Sequence, residues 1–359
     1  MKIIERYLGK TVIAATLSVL GVLLALFTLI KLIAETRDVG YGHYTLLNAF
    51  YYVLLTSPSQ FYNFSPIAVL LGSILGLSVL ARHSELTVLN ASGVSLYQIA
   101  WNLFKSTLPI VLMIIAIGEG VAPRAARLAE SHKAFLTTSG QTLMTQQRSL
   151  WIRDGYNFLY IQSILSPTHL SRVSRYQFNK HHNLVTASFA DKVNYENNNW
   201  NAYEVVTSQL SQNKVSAHTS ERESWPLSFS PKLLNISIIK PEEMSLRQLD
   251  EYIHYRQKNL LNTSQYSLAF WQRLLQPFAI WIMMCLAIPF TFKHLRSLVT
   301  SLRTVAGITI GFGFYLLNEF FGPFAVVYQW PAFLAALLPL LIFTLIAALL
   351  MYWAKSSRL

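Results

Sequence analysis

The chain has 359 residues, of which 53% are hydrophobic and 13% charged, and its mean hydropathy is +0.36. This composition argues against an ordinary soluble protein and is typical of a chain with several membrane spans. The net charge is +12, but the basic residues form no single stripe, which argues against nucleic-acid binding. One cysteine, Cys285, leaves no disulfide framework and no multi-cysteine metal site.

Long runs with few or no charges predict six membrane spans in two groups of three. About 20 apolar residues are needed to cross the hydrocarbon core of a bilayer. Within residues 39–81, Pro58 and Pro66 favour a short interfacial helix before the second span. The predicted spans cover residues 11–30, 61–81, 99–121, 274–292 and 304–321, with the sixth inside 320–354.

The short segments between these spans predict an orientation, because cytoplasmic segments carry an excess of Lys and Arg. With a cytoplasmic N-terminus, the short external segments carry only Lys31 and Arg37. We therefore expect both termini in the cytoplasm and the region between the third and fourth spans on the opposite side. The basic residues then assigned to the cytoplasm are Lys2, Arg6, Lys10, Arg82, Lys105, Lys293, Arg296, Arg303, Lys355 and Arg358.

A short amphipathic helix is predicted at about residues 82–95, between the second and third spans. A serine begins it, a glutamate lies in the first turn, two leucines share a face and a glycine ends it. A simple connecting loop would not need this pattern, so we expect the helix to bind a partner. The residues assigned to this contact are Arg82, Ser84, Glu85, Leu86, Leu89 and Gly93.

The region 126–263 is polar and rich in strand signals, which predicts a separate β domain. Turn clusters separate the strands, and their spacing indicates a sandwich or an open jelly roll. Ser245 predicts the start of a helix that leads back to the membrane. The predicted domains are 1–125, 126–263 and 264–359. The strand signals lie at 149–155, 158–161, 173–178, 184–192 and 200–210.

No motif predicts catalysis, an ATP site, a cofactor or a metal. Gly9-Lys10-Thr11 imitates the end of a phosphate-binding loop, but Ile4 stands where that loop needs glycine. A zinc-protease HExxH motif is absent from the sequence. His181-His182 has no third ligand nearby and is interpreted as part of an exposed turn.

Charged residues near the predicted outer membrane surface suggest a basic rim suited to phosphate groups, with ordinary interface anchoring as the alternative. Lys31 and Glu35 lie four apart and predict an ion pair. Glu119 and Glu319 are candidates for internal polar contacts. The rim residues are Lys31, Arg37, Arg124, Arg127 and Lys133.

Two glycine pairs predict sites where helices approach closely. Gly72 and Gly76 lie in the second span, and Gly307 and Gly311 lie in the fifth. Packing within the chain accounts for them, and so does a gate or contact with another membrane subunit.

Several segments together resemble the LptF/LptG permease family, the paired membrane subunits of the lipopolysaccharide-export ABC transporter. The resemblance covers essentially the whole chain and looks closest to the G-type half. It departs from the expected pattern at Glu130, which lies in a stretch after Pro123 where basic residues are expected. The matching segments are ERYLGKT at 5–11, SEL at 84–86, ASG at 91–93, AIGEGVAP at 116–123 and FGP at 321–323.

The resemblance implies a polytopic protein of the Gram-negative inner membrane with a periplasmic β-jelly-roll-like domain. It also implies a heterodimer with an LptF-type permease, an LptB-type ATPase dimer, an LptC-type bitopic subunit and an LptA-type periplasmic bridge. By the same resemblance, the helix at 82–95 couples to the ATPase, with Glu85 as its main polar contact. Spans one and five are expected to line the lipid cavity and its lateral gates.

We therefore expect a transport subunit that moves lipopolysaccharide and takes its energy from a separate ATPase. A membrane-embedded enzyme is the second hypothesis, but it would need clustered His, Asp or Cys residues at one membrane face. The third is a scaffold between membrane and envelope, which would leave the cytoplasmic helix and the long apolar spans without a use.

Overall fold

A computed structural model gives the arrangement of most of the chain. Helices before and after a single β-sheet pack together, and the sheet is formed by the middle of the sequence. The structure describes residues 2–83, 85, 88, 92, 94–137, 150–166, 168–181, 183–196, 199–210, 215–227, 229, 231, 240–291 and 300–356.

Two long helices open the fold. Helix α1 is Lys2–Glu35, a 3₁₀ turn covers Thr36–Asp38, and α2 is Leu46–Arg82. The predicted interfacial helix before the second span is wrong, because α2 runs without a break through Pro58 and Pro66. Of the most apolar stretch of α2, 78% is buried inside the chain, against 11% for α1. Helix α2 therefore lies at the centre of the helical part, and α1 lies on its outside.

One of these prolines is tolerated because side chains bond the carbonyl group that it leaves free. Pro66 has no N–H to donate to the Tyr62 carbonyl, four residues earlier. That carbonyl accepts the Ser65 hydroxyl at 2.7 Å and the Gln276 side-chain amide at 3.2 Å. Gln276 is far away in sequence, so the sequence alone could not show that the helix continues.

The third helical stretch is longer than predicted. Helix α3 is Leu96–Ala116, and a capping box between Ser95 and Gln98 begins it. A π-helical turn at Ile117–Val121 follows, and α4 covers Ala122–Thr137. The helix therefore continues past residue 126, where the sequence predicted the polar domain to begin.

Alanine residues explain this continuation. Alanine has the highest helix propensity of all residues. Ala122, Ala126 and Ala129 are almost fully buried, and Ala129 packs against Tyr52 and Val53 of α2. The stretch is polar on average, but its small buried face keeps it packed on the other helices.

The second helical group follows the sheet. A capping box between Ser245 and Gln248 confirms the predicted helix start at Ser245. The bounds are a 3₁₀ turn at Pro241–Glu243, α5 at Leu246–Lys258, α6 at Ser264–Ala287, a 3₁₀ turn at Pro289–Thr291, α7 at Thr300–Val327 and α8 at Ala332–Ser356.

Five helical stretches of the described chain are long and apolar enough to cross a membrane. This confirms a polytopic membrane protein, whereas the division into six spans stays a prediction. Helix α6 is the predicted fourth span but is not among the five, and Gln272, Arg273 and Gln276 lie near its middle. The five stretches are Glu5–Asp38, Leu46–Arg82, Tyr97–Thr137, Val305–Val327 and Ala332–Trp353.

The β domain is one six-stranded antiparallel sheet in which each strand pairs with the next in sequence. This order is an up-and-down meander, so a Greek-key connection like that of a jelly roll is not found among the described strands. The strands are β1 Leu150–Asp154, β2 Asn157–Ser166, β3 His169–Phe178, β4 Leu184–Glu196, β5 Asn199–Leu210 and β6 Val215–Trp225.

One face of the sheet forms its own apolar core. Trp200 and Trp225 are fully buried, and the Trp200 indole N–H donates to the Phe229 carbonyl at 2.9 Å. Tyr255 of α5 packs against the edge of this core. The sheet is therefore held to the chain that returns towards the membrane.

Candidate functional site

The predicted partner-binding helix is only partly within the described residues. Arg82 is the last residue of α2 and is exposed, whereas Ser84, Leu86, Leu89 and Gly93 lie outside the described residues. Glu85 is described, and one of its carboxylate oxygens accepts the Tyr7 hydroxyl at 3.1 Å. Glu85 is therefore held beside the start of α1.

A groove of about 600 Å³ opens between α1 and α3 near the same end of the helices. Gly9 allows α1 to approach closely, because a Cβ there would collide with Ser106. Arg6, Lys10 and Lys105 line the groove together with Glu5, so the charged residues of its otherwise mainly apolar lining are mostly basic.

At the other end, Lys31 and Lys133 make contacts within the chain. The predicted Lys31–Glu35 ion pair is wrong, because Lys31 Nζ donates to Thr56 Oγ1 at 2.9 Å. Glu35 pairs with Lys133 instead, whose Nζ lies 2.6 Å from Glu35 Oε2 and 2.7 Å from Asp38 Oδ2. A contact between α1 and α4 has replaced the contact along one helix.

Two tyrosines enclose these charges. The Tyr44 hydroxyl donates to Glu35 at 3.2 Å, and the Tyr52 hydroxyl donates to Glu130 at 2.8 Å. Lys133 Nζ lies 4.8 Å from the centre of the Tyr52 ring, within cation–π range. We call Glu35, Asp38 and Lys133, with Tyr44, Tyr52 and Glu130, the outer cluster. Glu130, the departure from the family pattern, is a hydrogen-bond acceptor in this cluster.

The three arginines of the predicted rim differ from the two lysines. Arg37 and Arg124 are exposed and Arg127 is half-buried. Arg124 donates to the Gly120 carbonyl at 3.3 Å and Arg127 to the Pro123 carbonyl at 3.1 Å, both within their own helical stretch. Within the described chain, none of the three forms an ion pair. Their charges are therefore not neutralised there by a carboxylate of this chain.

All four glycines of the predicted pairs contact other helices of this chain. A Cβ on Gly72 would collide with the Thr16 backbone of α1, and one on Gly76 would lie 3.1 Å from Val12 Cα. Gly307 and Gly311 of α7 face side chains of α2. These contacts place α1 and α7 on α2, and a gate with another subunit stays a prediction.

A second polar centre lies among α2, the π-helical turn and α6. Arg273 of α6 is 8% exposed, and its guanidinium forms an ion pair with Glu119. The guanidinium also donates to the Gly118 carbonyl and, at 3.3 Å, to the Glu242 carbonyl. It lies 4.9 Å from the centre of the Tyr62 ring. We call Arg273, Glu119, Gly118 and Tyr62 the Arg273 joint.

Two proline-freed carbonyl groups interlock α2 and α6 at this joint. Pro277 leaves the Arg273 carbonyl without its helical donor, and the Tyr62 hydroxyl donates to it at 3.1 Å. The Tyr62 carbonyl, freed by Pro66, accepts from Gln276 in return. Each helix therefore satisfies the carbonyl that a proline frees in the other.

The sequence model of the family described as lipopolysaccharide export system permease LptF/LptG matches residues 6–353. The chain belongs to the LptF/LptG family. It is 35% identical over 348 residues to the lipopolysaccharide export system permease protein LptG of Escherichia coli K12, covering 96% of each chain. It is 31% identical over 357 residues to the LptG protein of Haemophilus influenzae Rd, covering 99% of this chain and 98% of that one.

Membership of the LptF/LptG family confirms the resemblance drawn from the sequence segments. The near-complete coverage of both relatives means that the helices and the sheet of this chain lie within the aligned region. The match does not test the roles of individual residues. The predicted ATPase contacts, phosphate contacts and gate glycines therefore stay predictions for this member of the LptF/LptG family.

Sequence reasoning missed Arg273 in this LptF/LptG chain, although it expected an internal polar contact for Glu119. An arginine in a helix that otherwise continues into apolar sequence is a signal that could have found it. Glu243 was missed as well. Burial, followed by the nearby Glu130, raises the pKa of Glu243, and its Oε2 has no hydrogen-bond partner among the described residues.

Proposed function

We propose that this chain is the membrane permease subunit that extracts lipopolysaccharide from the inner membrane and passes it to a periplasmic bridge towards the outer membrane. The observation that carries the proposal is the family match over residues 6–353, together with five long apolar helices and a sheet domain in the same chain. The relatives named as lipopolysaccharide export permeases share nearly its whole length.

The proposed arrangement has six spans in two groups of three, with α6 as the fourth. The proposed division is residues 1–125 and 264–359 for the membrane groups and 126–263 for the inserted domain, with the first group extended along α4 to Thr137. Both termini lie in the cytoplasm and the six-stranded sheet lies in the periplasm, where it serves as a segment of the lipid path. The basic side chains around the α1–α3 groove support this orientation.

Lipid extraction requires an apolar surface that replaces the bilayer around the acyl chains. Each methylene brought into water costs about 0.8 kcal/mol, so a single chain of a dozen carbons costs about 10 kcal/mol. The exposed apolar faces of α1 and α7 suit this task. They are the proposed walls of the lipid cavity and of its lateral gates, and their residues include Leu26, Ile30, Ile33, Phe312, Leu316 and Phe320.

The energy for extraction is assigned to a separate ATPase dimer that docks on the segment at about 82–95. Glu85 is its proposed main polar contact, and the bond from Tyr7 ties this contact to α1. The wider complex contains an LptF-type permease, an LptC-type bitopic subunit and an LptA-type bridge. A force received near Glu85 then reaches α1, a proposed wall of the lipid cavity.

The proposed phosphate contacts are the rim residues, with Arg37, Arg124 and Arg127 as the first contacts. These three are not paired with carboxylates within the described chain, and arginine recognises phosphate in a bidentate manner. Lys31 lies deeper, and Lys133 is already paired with Glu35 and Asp38. Phosphate binding at Lys133 would have to displace these carboxylates.

The complex of this chain with its partners in proteoliposomes tests the function. We expect ATP-dependent release of lipopolysaccharide to an added periplasmic acceptor. A scaffold would give stable assembly and no release in the parent protein, and that result would contradict the proposal.

Glu85→Ala tests the coupling contact. We expect ATP hydrolysis without matching lipid release, because the docking segment loses its charged contact, while the thermal unfolding midpoint stays unchanged. Tyr7→Phe is the control that separates loss of the bond to α1 from loss of the carboxylate. Parental lipid release in Glu85→Ala would contradict the assignment.

Joint charge reversal of Arg37 and Arg127 to Glu tests the rim. We expect a lower photocrosslinking yield to lipopolysaccharide, because both sites would repel phosphate. Joint reversal of Arg247 and Lys258 to Glu, both exposed on α5, is the charge-matched control. An equal crosslinking yield in the rim variant and the control would show that Arg37 and Arg127 do not bind the lipid.

A further inference from the structure

Glu119 connects the Arg273 joint to the N-terminus of α5. One carboxylate oxygen is bonded by Arg273, and the other accepts the backbone N–H of Leu246 at 2.9 Å. Leu246 is the first residue of α5, and such an N–H has no partner inside its own helix. The positive end of the helix dipole favours a carboxylate at this position. A single side chain therefore fastens α5 and α6 to the π-helical turn.

The other end of α5 is fastened to the sheet. The Asn259 side-chain oxygen accepts the backbone N–H of Gly155, in the turn between β1 and β2, at 2.9 Å. The Tyr255 hydroxyl donates to the Arg153 carbonyl at 3.1 Å. Helix α5 has 13 residues and is therefore about 20 Å long. It connects the sheet to the membrane helices through specific hydrogen bonds at both ends.

We propose that Arg273 and Glu119 are positioning residues that hold α5 as a strut, so that movements of the membrane helices carry the sheet domain with them during lipid transfer. This inference rests on the proposed lipid-export function. The first two strands would receive the movement, because α5 bonds to their turn. The lipid path in the sheet would then stay aligned with the cavity among the helices.

Stability alone does not account for this arrangement. A buried ion pair adds little net stability compared with well-packed apolar residues of similar size. Glu119 and Arg273 are 154 positions apart in sequence, so their contact fixes the placement of two distant segments. The π-helical turn, a feature frequent at functional sites, brings Gly118 against Tyr62, where a Cβ would collide with the ring.

Leu246→Pro tests the strut with the smallest change. It removes the N–H that Glu119 accepts, at the first helical position, where proline is well tolerated. Ser245 already has φ −72° and ψ 161°, the extended conformation that a following proline requires. Leu246→Ala is the matched control, because it removes the side chain and keeps the N–H.

Glu119→Gln is the second test, because it removes the charge that Arg273 faces and nearly keeps the shape. Arg247→Gln is its control, since Arg247 forms the exposed ion pair with Glu251 on the same strut. Spin labels on Leu47→Cys of α2 and Val206→Cys of β5, both exposed positions, report the distance between helices and sheet. Cys285→Ser removes the native thiol from this background.

In the reconstituted complex, we expect Leu246→Pro and Glu119→Gln to lower lipopolysaccharide released per ATP hydrolysed by about tenfold. The distribution of the distance between the labels should broaden in both variants, with the ATPase rate retained. The thermal midpoint should be retained in Leu246→Pro and lowered in Glu119→Gln, because Arg273 then loses its counterion. The controls should match the parent protein. A merely structural role would lower the thermal midpoint and leave the ratio of lipid to ATP unchanged in the folded fraction.

Two results would overturn the strut. One is a ratio of lipid released to ATP hydrolysed, and a width of the label distance distribution, that equal those of the parent in both variants. The other is a loss of that ratio in Leu246→Ala as large as in Leu246→Pro. If Leu246→Pro does not assemble, Glu119→Gln and its distance distribution decide the matter. A parent complex that releases no lipopolysaccharide would contradict the proposed function instead, while the distance widths would still test the strut.

Discussion

The Arg273 joint and the outer cluster use the same chemistry at different degrees of burial. The side chains of Arg273 and Glu119 are 6% and 25% exposed, whereas those of Lys133 and Asp38 are 20% and 45% exposed. The joint connects α2, the π-helical turn, α5 and α6, and the outer cluster connects α1, α2 and α4. Water can approach the outer cluster and replace a lost partner, but it has little access to Arg273.

The burial of the remaining partner decides how much free energy of unfolding a substitution costs. A buried charge that loses its counterion keeps its full desolvation penalty, whereas a half-exposed charge regains hydration. The two clusters therefore predict different sensitivities to substitution and to salt.

Glu119→Ala should have the largest effect, because it leaves Arg273 charged and buried without a counterion. We expect the free energy of unfolding to fall by about 3 kcal/mol. Chemical or thermal unfolding in detergent measures this loss. Glu251→Ala, which breaks the exposed pair with Arg247, should cost well under about 1 kcal/mol. Equal losses in the two variants would remove burial as the deciding factor.

Lys133→Gln should have an intermediate effect, since Glu35 is largely buried but Asp38 is not. We expect a loss of about 2 kcal/mol, between the values for exposed and buried pairs. High salt screens exposed charges, so the stability difference between Lys133→Gln and the parent should shrink as the NaCl concentration rises. The stability difference between Glu119→Ala and the parent should stay the same. The same salt dependence in both variants would mean that the outer cluster is as inaccessible to water as the Arg273 joint.

Tyr52→Phe should cost about 1 kcal/mol, the usual value of one hydrogen bond. It removes the hydroxyl that donates to Glu130 at 2.8 Å and keeps the ring beside Lys133. Tyr51→Phe, at the neighbouring exposed position, is the control and should leave the unfolding midpoint unchanged. A loss as large in Tyr51→Phe would show that the measurement does not resolve this bond.

The smallest effect should be a pH dependence from Glu243. Burial raises its pKa in the folded protein above the ordinary value of 4.5, so the folded state binds the proton more tightly than the unfolded state. The free energy of unfolding therefore falls as pH rises from 4.5 through the raised pKa of Glu243. It recovers as pH falls back towards 4.5. Glu243→Gln should raise the unfolding midpoint at neutral pH and flatten this dependence. A parental pH profile in that variant would assign the dependence to other groups.

The sequence predicted features that depend on local composition or local hydrogen bonding. Most spans follow from uncharged runs, and the start of α5 follows from Ser245 and its capping box. Of the strands, β6 was missed, because most of its residues are exposed and polar and show no alternation. Pairing with β5 along its full length holds it in the sheet.

Long-range partners explain the remaining errors. Lys31 and Glu35 have the right spacing for an ion pair, but Thr56 and Lys133 come from other helices and bind them instead. Pro66 predicts a helix break, because the sequence does not show that Gln276 bonds the carbonyl group that Pro66 leaves free. The Arg273 joint has the same origin, since its groups are far apart along the chain. Such contacts depend on tertiary packing, which the sequence pattern does not encode locally.

The meander order of the sheet has a consequence for biosynthesis. Every described strand finds its neighbours between Leu150 and Trp225, so hydrogen-bonded pairing requires nothing that is translated later. Helix α5 is made afterwards, when the β1–β2 turn and Glu119 have already left the ribosome. We expect the sheet to form while the C-terminal helices are still being synthesised, with Arg273 completing the assembly once α6 has been made.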